Sequence, residues 1–188
     1  MTKDLHSKPF DEGTLAKLAI FKGYLKEWLP VFLAARVVRS KHINIFDFFA
    51  GPGEDPNQVK GSPLIIVDEL SPYADQIKSK QLSVTVWLNE YDVSKYKVLR
   101  ANVESHRSEA LPYKIEVLHK DFPVAFEELY PTMSVPGTAN LLFLDQYGVC
   151  HITEDVFARI TSLQRTDILF FISSSTIRRF ADHPAFQK

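Results

Sequence analysis

The stretch Ile43-Asn44-Ile45-Phe46-Asp47-Phe48-Phe49-Ala50-Gly51-Pro52-Gly53 decides how the rest of the chain reads. Its first half is a short apolar run that Gly51-Pro52-Gly53 then breaks, the pattern of a buried strand ending in a tight turn. A polar stretch, 54–61, comes next, and then Ser62-Pro63-Leu64-Ile65-Ile66-Val67. Ser62 suits a helix N-cap and Pro63 the first helical position, where a missing N–H costs nothing. The unit is therefore strand, glycine loop, helix. In a parallel α/β sheet such a unit places a small ligand outside the carboxyl end of the strand. Glycine lets the backbone approach that ligand closely, because no Cβ intervenes. A turn that merely joins strand to helix would look the same. Asp47 favours the ligand loop, since a carboxylate inside an apolar run is costly to bury unpaired.

Working outward, residues 1–12 are polar, and from Thr14 to about Val38 apolar side chains recur every three or four positions. That is a helical period. Pro30 falls inside it and is expected to kink or split the helix near Trp28-Leu29. Lys17, Lys22, Lys26 and Glu27 take the polar face. This N-terminal helical segment, residues 1–40, is expected to pack on an α/β domain spanning 41–188. Within that domain, strands are predicted at Ser83 to Leu88, Tyr113 to Leu118, Ala139 to Leu144 and Asp167 to Ile172. Helices are predicted at 63–70, Val93 to about Arg107, Val124 to Tyr130 and Ile152 to Leu163, with 73–80 a further helix or a loop. Strands alternating with helices make a doubly wound, mostly parallel sheet.

The strand ends carry the chemistry. Asp47 with its glycine loop, Glu90, Asp121 and Asp145 follow the first four strands in turn, at the edge where ligands gather. A glycine turn after the first strand and an acid after the second suit an adenosine-containing cofactor, the acid accepting from the ribose hydroxyls. Glu90 lies 37 residues beyond Gly53, longer than the ~20 of a dinucleotide fold. Pro56 also stands where the third glycine of Gly-x-Gly-x-x-Gly would be, so a nicotinamide or flavin site is disfavoured. Asp121 could bond the exocyclic amine of adenine while Phe122 packs on its ring, and Asp121 reads equally as a helix N-cap before Pro123. In Asp145-Gln146-Tyr147-Gly148, an acid and a following carbonyl could take both protons of an amino group while Tyr147 stacks on a flat base. Such a site acts mostly by positioning. A plain turn with Tyr147 against the core fits these four residues as well.

Composition narrows the rest. A net charge of −1 argues neither for nor against a nucleic-acid partner, and the local basic groups read as solvated faces. The single cysteine, Cys150, leaves no internal disulfide and fits a reducing, cytoplasmic setting. No histidine spacing suggests a metal, and no apolar run reaches membrane-spanning length. No Gly-x-Ser-x-Gly elbow supports a hydrolase.

Phe49-Ala50-Gly51-Pro52-Gly53, Glu90, Asp121 and Asp145-Gln146-Tyr147-Gly148, in that order, resemble a class I S-adenosylmethionine-dependent methyltransferase. More narrowly, the chain resembles the three-Cys-motif partner family. The likeness runs from Leu15-Ala16-Lys17-Leu18 and Tyr24-Leu25-Lys26-Glu27-Trp28-Leu29-Pro30 through Gly61-Ser62-Pro63-Leu64 to Phe143-Leu144-Asp145-Gln146-Tyr147-Gly148. It implies a Rossmann-like fold and an S-adenosylmethionine site at Asp47, Phe49, Gly51, Gly53 and Glu90, with Asp121 and Phe122 at the adenine. Asp145, Gln146 and Tyr147 would face an exocyclic amine, of nucleic acid in the leading reading. A partner protein bearing a three-cysteine motif is implied as well, and a silent donor-binding or interaction module is the alternative to an enzyme. Gln146 departs from the family's Asp-Pro-aromatic-Gly. Five strands where such enzymes carry seven lead to the expectation that the last strands are missing.

Overall fold

The computed structural model describes residues 8–106, 111–146 and 151–172. In chain order the elements are α1 (Glu12–Leu33), β1 (His42–Asp47), α2 (Ser62–Leu70), α3 (Ala74–Ser79), β2 (Ser83–Asn89), α4 (Val93–Ser105), β3 (Lys114–Leu118), α5 (Phe122–Met133), β4 (Ala139–Leu144), α6 (Glu154–Thr161) and β5 (Thr166–Phe170). The strands form one sheet in the order β3-β2-β1-β4-β5, and every pairing is parallel. The chain winds outward from β1 to β3, returns to the other side of β1 and continues through β4 to β5. This is a Rossmann-like α/β sheet, whose winding reverses between β1 and β4. A crevice opens outside the carboxyl ends of the strands at such a reversal.

Strand alternation divides the core into two layers. Ile43 and Ile45 of β1, with Leu141 and Phe143 of β4, face α1, α2, α3 and α4. Phe46 of β1, with Leu142 and Leu144 of β4, faces α5 and Ile160 of α6. A row of polar side chains crosses the second layer. Trp87 Nε1 donates to Asn44 Oδ1 at 3.2 Å, Asn44 Nδ2 to Asn140 Oδ1 at 3.3 Å, and Asn140 Nδ2 to Thr166 Oγ1 at 3.0 Å. Four adjacent strands are thus joined through side chains as well as backbone.

Helix α1 lies on the first layer. Its buried stripe, Leu18, Phe21, Leu25, Trp28, Leu29 and Leu33, follows the predicted period. Phe21 meets Phe143 with ring centroids 4.2 Å apart, and Trp28 Nε1 donates to Asp167 at 2.7 Å. Pro30 does not split the helix. It falls in the last turn, where only the Lys26 carbonyl loses its partner, and the helix closes at Leu33, with the Ala34 amide on the Pro30 carbonyl at 3.0 Å. Nor is Ser62 the N-cap of α2: Gly61 takes that place, Ser62 is the first helical residue, and Pro63 follows it. Helix α5 is longer than its apolar period suggested, because Asp121 caps it and Pro123 fits its first turn. Among the described residues no helix is long and apolar enough to cross a membrane.

Candidate functional site

The turn after β1 holds Gly51 at φ 64° and Gly53 at φ 93°, conformations that a side chain would strain. At Gly53 the missing side chain faces α4: a Cβ would lie 3.4 Å from Leu99 Cδ1 and 3.6 Å from Asn102 Cβ. Asn102 Nδ2 also donates to the Pro52 carbonyl at 2.9 Å, and the Gly61 amide to the Gly53 carbonyl at 2.7 Å. Gly51, Pro52 and Gly53 are consequently buried, clasped between α4 and the start of α2. The 54–61 loop is held by the buried Asp55, which accepts the amides of Phe10, Asn57 and Val59, each at 2.9 Å. The segment before α1 therefore straps this loop, a contact no sequence period announced.

Asp47 ends β1 with no solvent exposure. Its Oδ1 accepts the Phe49 amide at 3.2 Å, while Oδ2 has no hydrogen-bond partner. Burial drives the carboxyl up to about 7, against the Ser62 hydroxyl and Phe49 amide, which favour the ionised form. The charges of Asp145 and Glu90 push it further up. Ser62 thus lies near enough to act on the carboxyl without forming a hydrogen bond to Oδ2. Two further carboxyls at this edge thus bear on Asp47.

Glu90 follows β2, turned toward the glycine turn. Its Oε2 accepts the Gly51 amide at 2.9 Å and its Oε1 the Asp92 amide at 2.7 Å. Asp121 is exposed and accepts the Phe122 amide at 2.8 Å as the N-cap of α5. Phe122 is 2% exposed; it stacks on Phe49 at 5.2 Å and meets Phe48 edge-on at 5.3 Å, so in this arrangement it is a core ring. Phe49 is half-buried and lies 5.5 Å from the His151 ring, which makes it the outer ring of that stack.

Asp145 follows β4, beside Asp47 across the reversal point, and Lys17 of α1 reaches it. Lys17 Nζ donates to Oδ1 at 2.7 Å and to Oδ2 at 2.5 Å, across 128 residues of sequence. Sequence reasoning placed Lys17 on the polar face of its helix, and helical periodicity holds no signal for a partner so distant. Gln146 is buried, and its Oε1 accepts the amides of His151 at 2.9 Å and Ile152 at 3.2 Å, just before α6. Tyr147, Gly148 and Cys150 lie outside the described residues.

The arrangement therefore brings Asp47, the glycine turn, Glu90 and Asp145 to one edge, with Asp121 and Phe49 beside them. An acid-rich edge with an unpartnered buried carboxyl oxygen fits a ligand carrying an amino group or other positive charge. A cavity of about 330 Å³ lies at the other end of the sheet, between the ends of α5 and α6. Tyr130, Met133, Thr138 and Gln164 are among its lining, and no charged side chain is. Electrostatics favours the carboxyl edge as the seat of chemistry. Among the described residues no group of three or more His, Cys, Asp or Glu side chains is placed to hold a metal ion.

Fold and site together define a Rossmann-like α/β protein with a glycine turn and acids at the reversal of its sheet. Comparison with protein-family models, with curated proteins and with solved structures finds no match in any of the three.

Proposed function

We propose that the protein binds S-adenosylmethionine at the carboxyl edge and methylates an exocyclic amine, with nucleic acid as the acceptor. The observation that carries this reading is the placement of the Gly51–Gly53 turn and Asp145 on either side of the sheet's reversal, with Glu90 joined to the turn. S-adenosylmethionine would supply a methyl group activated by its sulfonium. The orphan Oδ2 of Asp47 suits the amino group of the methionine part, Glu90 the ribose hydroxyls, and exposed Asp121 the adenine amine. Asp145 would hold the acceptor nitrogen by accepting its protons, aiming the lone pair at the methyl carbon. Transfer would exchange the donor's C–S bond for the acceptor's N–C bond, and Asp145 would pass the proton that the nitrogen sheds on to water. Exposed Tyr91 follows Glu90 in the chain, its carbonyl bonded to His119 at 2.8 Å, and Tyr96 stacks on that His119 at 5.1 Å with Arg100 over its ring at 5.8 Å. Such aromatic and cationic surfaces suit unpaired bases.

Calorimetric titration with S-adenosylmethionine and S-adenosylhomocysteine, alongside Glu90→Ala, tests the reading. Saturable binding weakened by the substitution supports it; a folded chain that binds neither compound overturns it.

A second reading is a silent module that binds the donor, or a three-cysteine-motif partner, without transfer. It is favoured by the internal bonds already made by Glu90, Asp121 and Asp145. Labelled donor offered with DNA, RNA and protein acceptors separates the two, and absence of transfer to all of them selects the module.

A further inference from the structure

The contact between Lys17 and Asp145 bears on which amine the site can take, and the argument rests on the methyl-transfer reading above. Asp145 is the acid that would meet the acceptor. Alone, a carboxylate there would attract an alkylammonium most strongly, because the charges are opposite. It is not alone. The Lys17 ammonium sits on both of its oxygens, with the two side chains only 32% and 24% exposed. The pair brings the site acceptor lone pairs without net charge, since a carboxylate has about four such positions and Lys17 uses two. An incoming ammonium would meet the charge of Lys17 at close range, whereas a neutral amino group needs only the free lone pairs. The half-buried ring of Phe49, beside His151, gives the same edge a flat apolar wall.

We infer that Lys17 is a specificity-determining residue that neutralises Asp145 and restricts the acceptor to an uncharged amine on a planar ring, as in adenine or cytosine, excluding alkylammonium groups such as a lysine side chain or a polyamine. In the transfer this reading implies, the exocyclic nitrogen would gain the methyl group as the donor's C–S bond gives its pair to sulfur, and one N–H proton would pass through the Asp145 carboxylate to water. Lys17 touches no reacting atom; it acts through Asp145.

The test is equilibrium binding to the full chain saturated with S-adenosylhomocysteine, which needs no turnover. Adenosine and cytidine are compared with n-butylamine and an Nα-blocked lysine ester for the wild type, Lys17→Met and Lys17→Arg. The wild type should bind the nucleosides in preference to the amines. Lys17→Met should shift that ratio toward the amines by about tenfold or more, and Lys17→Arg should restore it. Asp145→Asn, which leaves Lys17 unpaired, should weaken amine binding below the wild type and serves if Lys17→Met does not fold. A wild type that prefers the amines, that binds neither class, or whose ratio is indifferent to Lys17 overturns the inference while leaving donor binding standing. Failure to bind S-adenosylhomocysteine at all overturns the methyl-transfer reading and this inference with it.

Discussion

Glu90 Oε2 accepts the Gly51 amide at 2.9 Å, which ties the end of β2 to the turn that follows β1. The same carboxylate holds the Asp92 amide at 2.7 Å, and Asp92 in turn caps α4. One side chain thus fixes the glycine turn and the entry to the next helix. Glu90→Ala frees both amides and is expected to lower unfolding free energy by about 1–3 kcal/mol, the range for charge-assisted bonds. Glu90→Gln keeps one acceptor oxygen and should lose less than the alanine variant. Urea denaturation of the three proteins checks this, and equal losses for both variants would contradict a role through hydrogen bonding.

Asp47 makes stability depend on pH. Its carboxyl titrates near 7 in the folded chain against an ordinary value of 3.8. Between those values the folded state holds a proton that the unfolded chain has released, so stability falls as pH rises. The contribution is complete below about pH 4 and is lost as pH climbs through about 7. Its span is at most on the order of 4 kcal/mol, from the size of the shift. Asp47→Asn removes the slope, so the difference in stability between variant and wild type should move in the variant's favour from pH 5 to pH 8. Thermal or urea unfolding at several pH values reads it directly. A constant difference would mean that Asp47 titrates normally.

Gly53 is required by its backbone conformation. With φ at 93°, Gly53→Ala strains the turn, although the added Cβ would meet Leu99 and Asn102 of α4 only at ordinary contact distance. The expected loss is about 1–3 kcal/mol. Gly23, on α1 with nothing within 4 Å of its prospective Cβ, is the internal control. Gly23→Ala should be neutral or stabilising, by up to about 1 kcal/mol. The comparison is made by differential scanning of both variants.

The frame of this fold is written in local pattern. Ile43 to Asp47, Val84 to Leu88 and Ala139 to Leu144 show as strands because apolar runs end at polar turns, and the order of strands and helices carries the parallel sheet. The four acids show because each ends a strand. What stays hidden is long-range pairing: Lys17 with Asp145, Phe10 with Asp55, Trp28 with Asp167. Nothing in the period of a helix names the residue its polar face will meet. Asn44 and Asn140 are hidden for a related reason, since each is one polar letter inside an apolar run until the strands are laid side by side. Pro30 and Ser62 show the limit at element ends, where one residue's shift decides whether a proline breaks a helix or sits harmlessly in its last turn.

Asn140 is fully buried and bonds in three directions: to Asn44 Nδ2 at 3.3 Å, the Met133 carbonyl at 3.0 Å and Thr166 Oγ1 at 3.0 Å. Asn140→Leu keeps the volume but leaves the Asn44 amide and the Met133 carbonyl unpaired away from water. At about 1–3 kcal/mol for each of the two abandoned groups, the variant should lose roughly 2–6 kcal/mol. Asn44→Leu alone strands the Asn140 carbonyl oxygen and Trp87 Nε1–H, with a cost of about the same size. The double variant removes the Asn44–Asn140 pair from both sides, so neither amide is left facing a leucine; only Trp87, Thr166 and Met133 lose partners. Its loss should therefore fall short of the sum of the single losses by about 1 kcal/mol or more. Urea unfolding of the four proteins measures the coupling. Strict additivity would mean that the two asparagines act independently, each through its bonds to other groups, and that the row across the sheet is not one network.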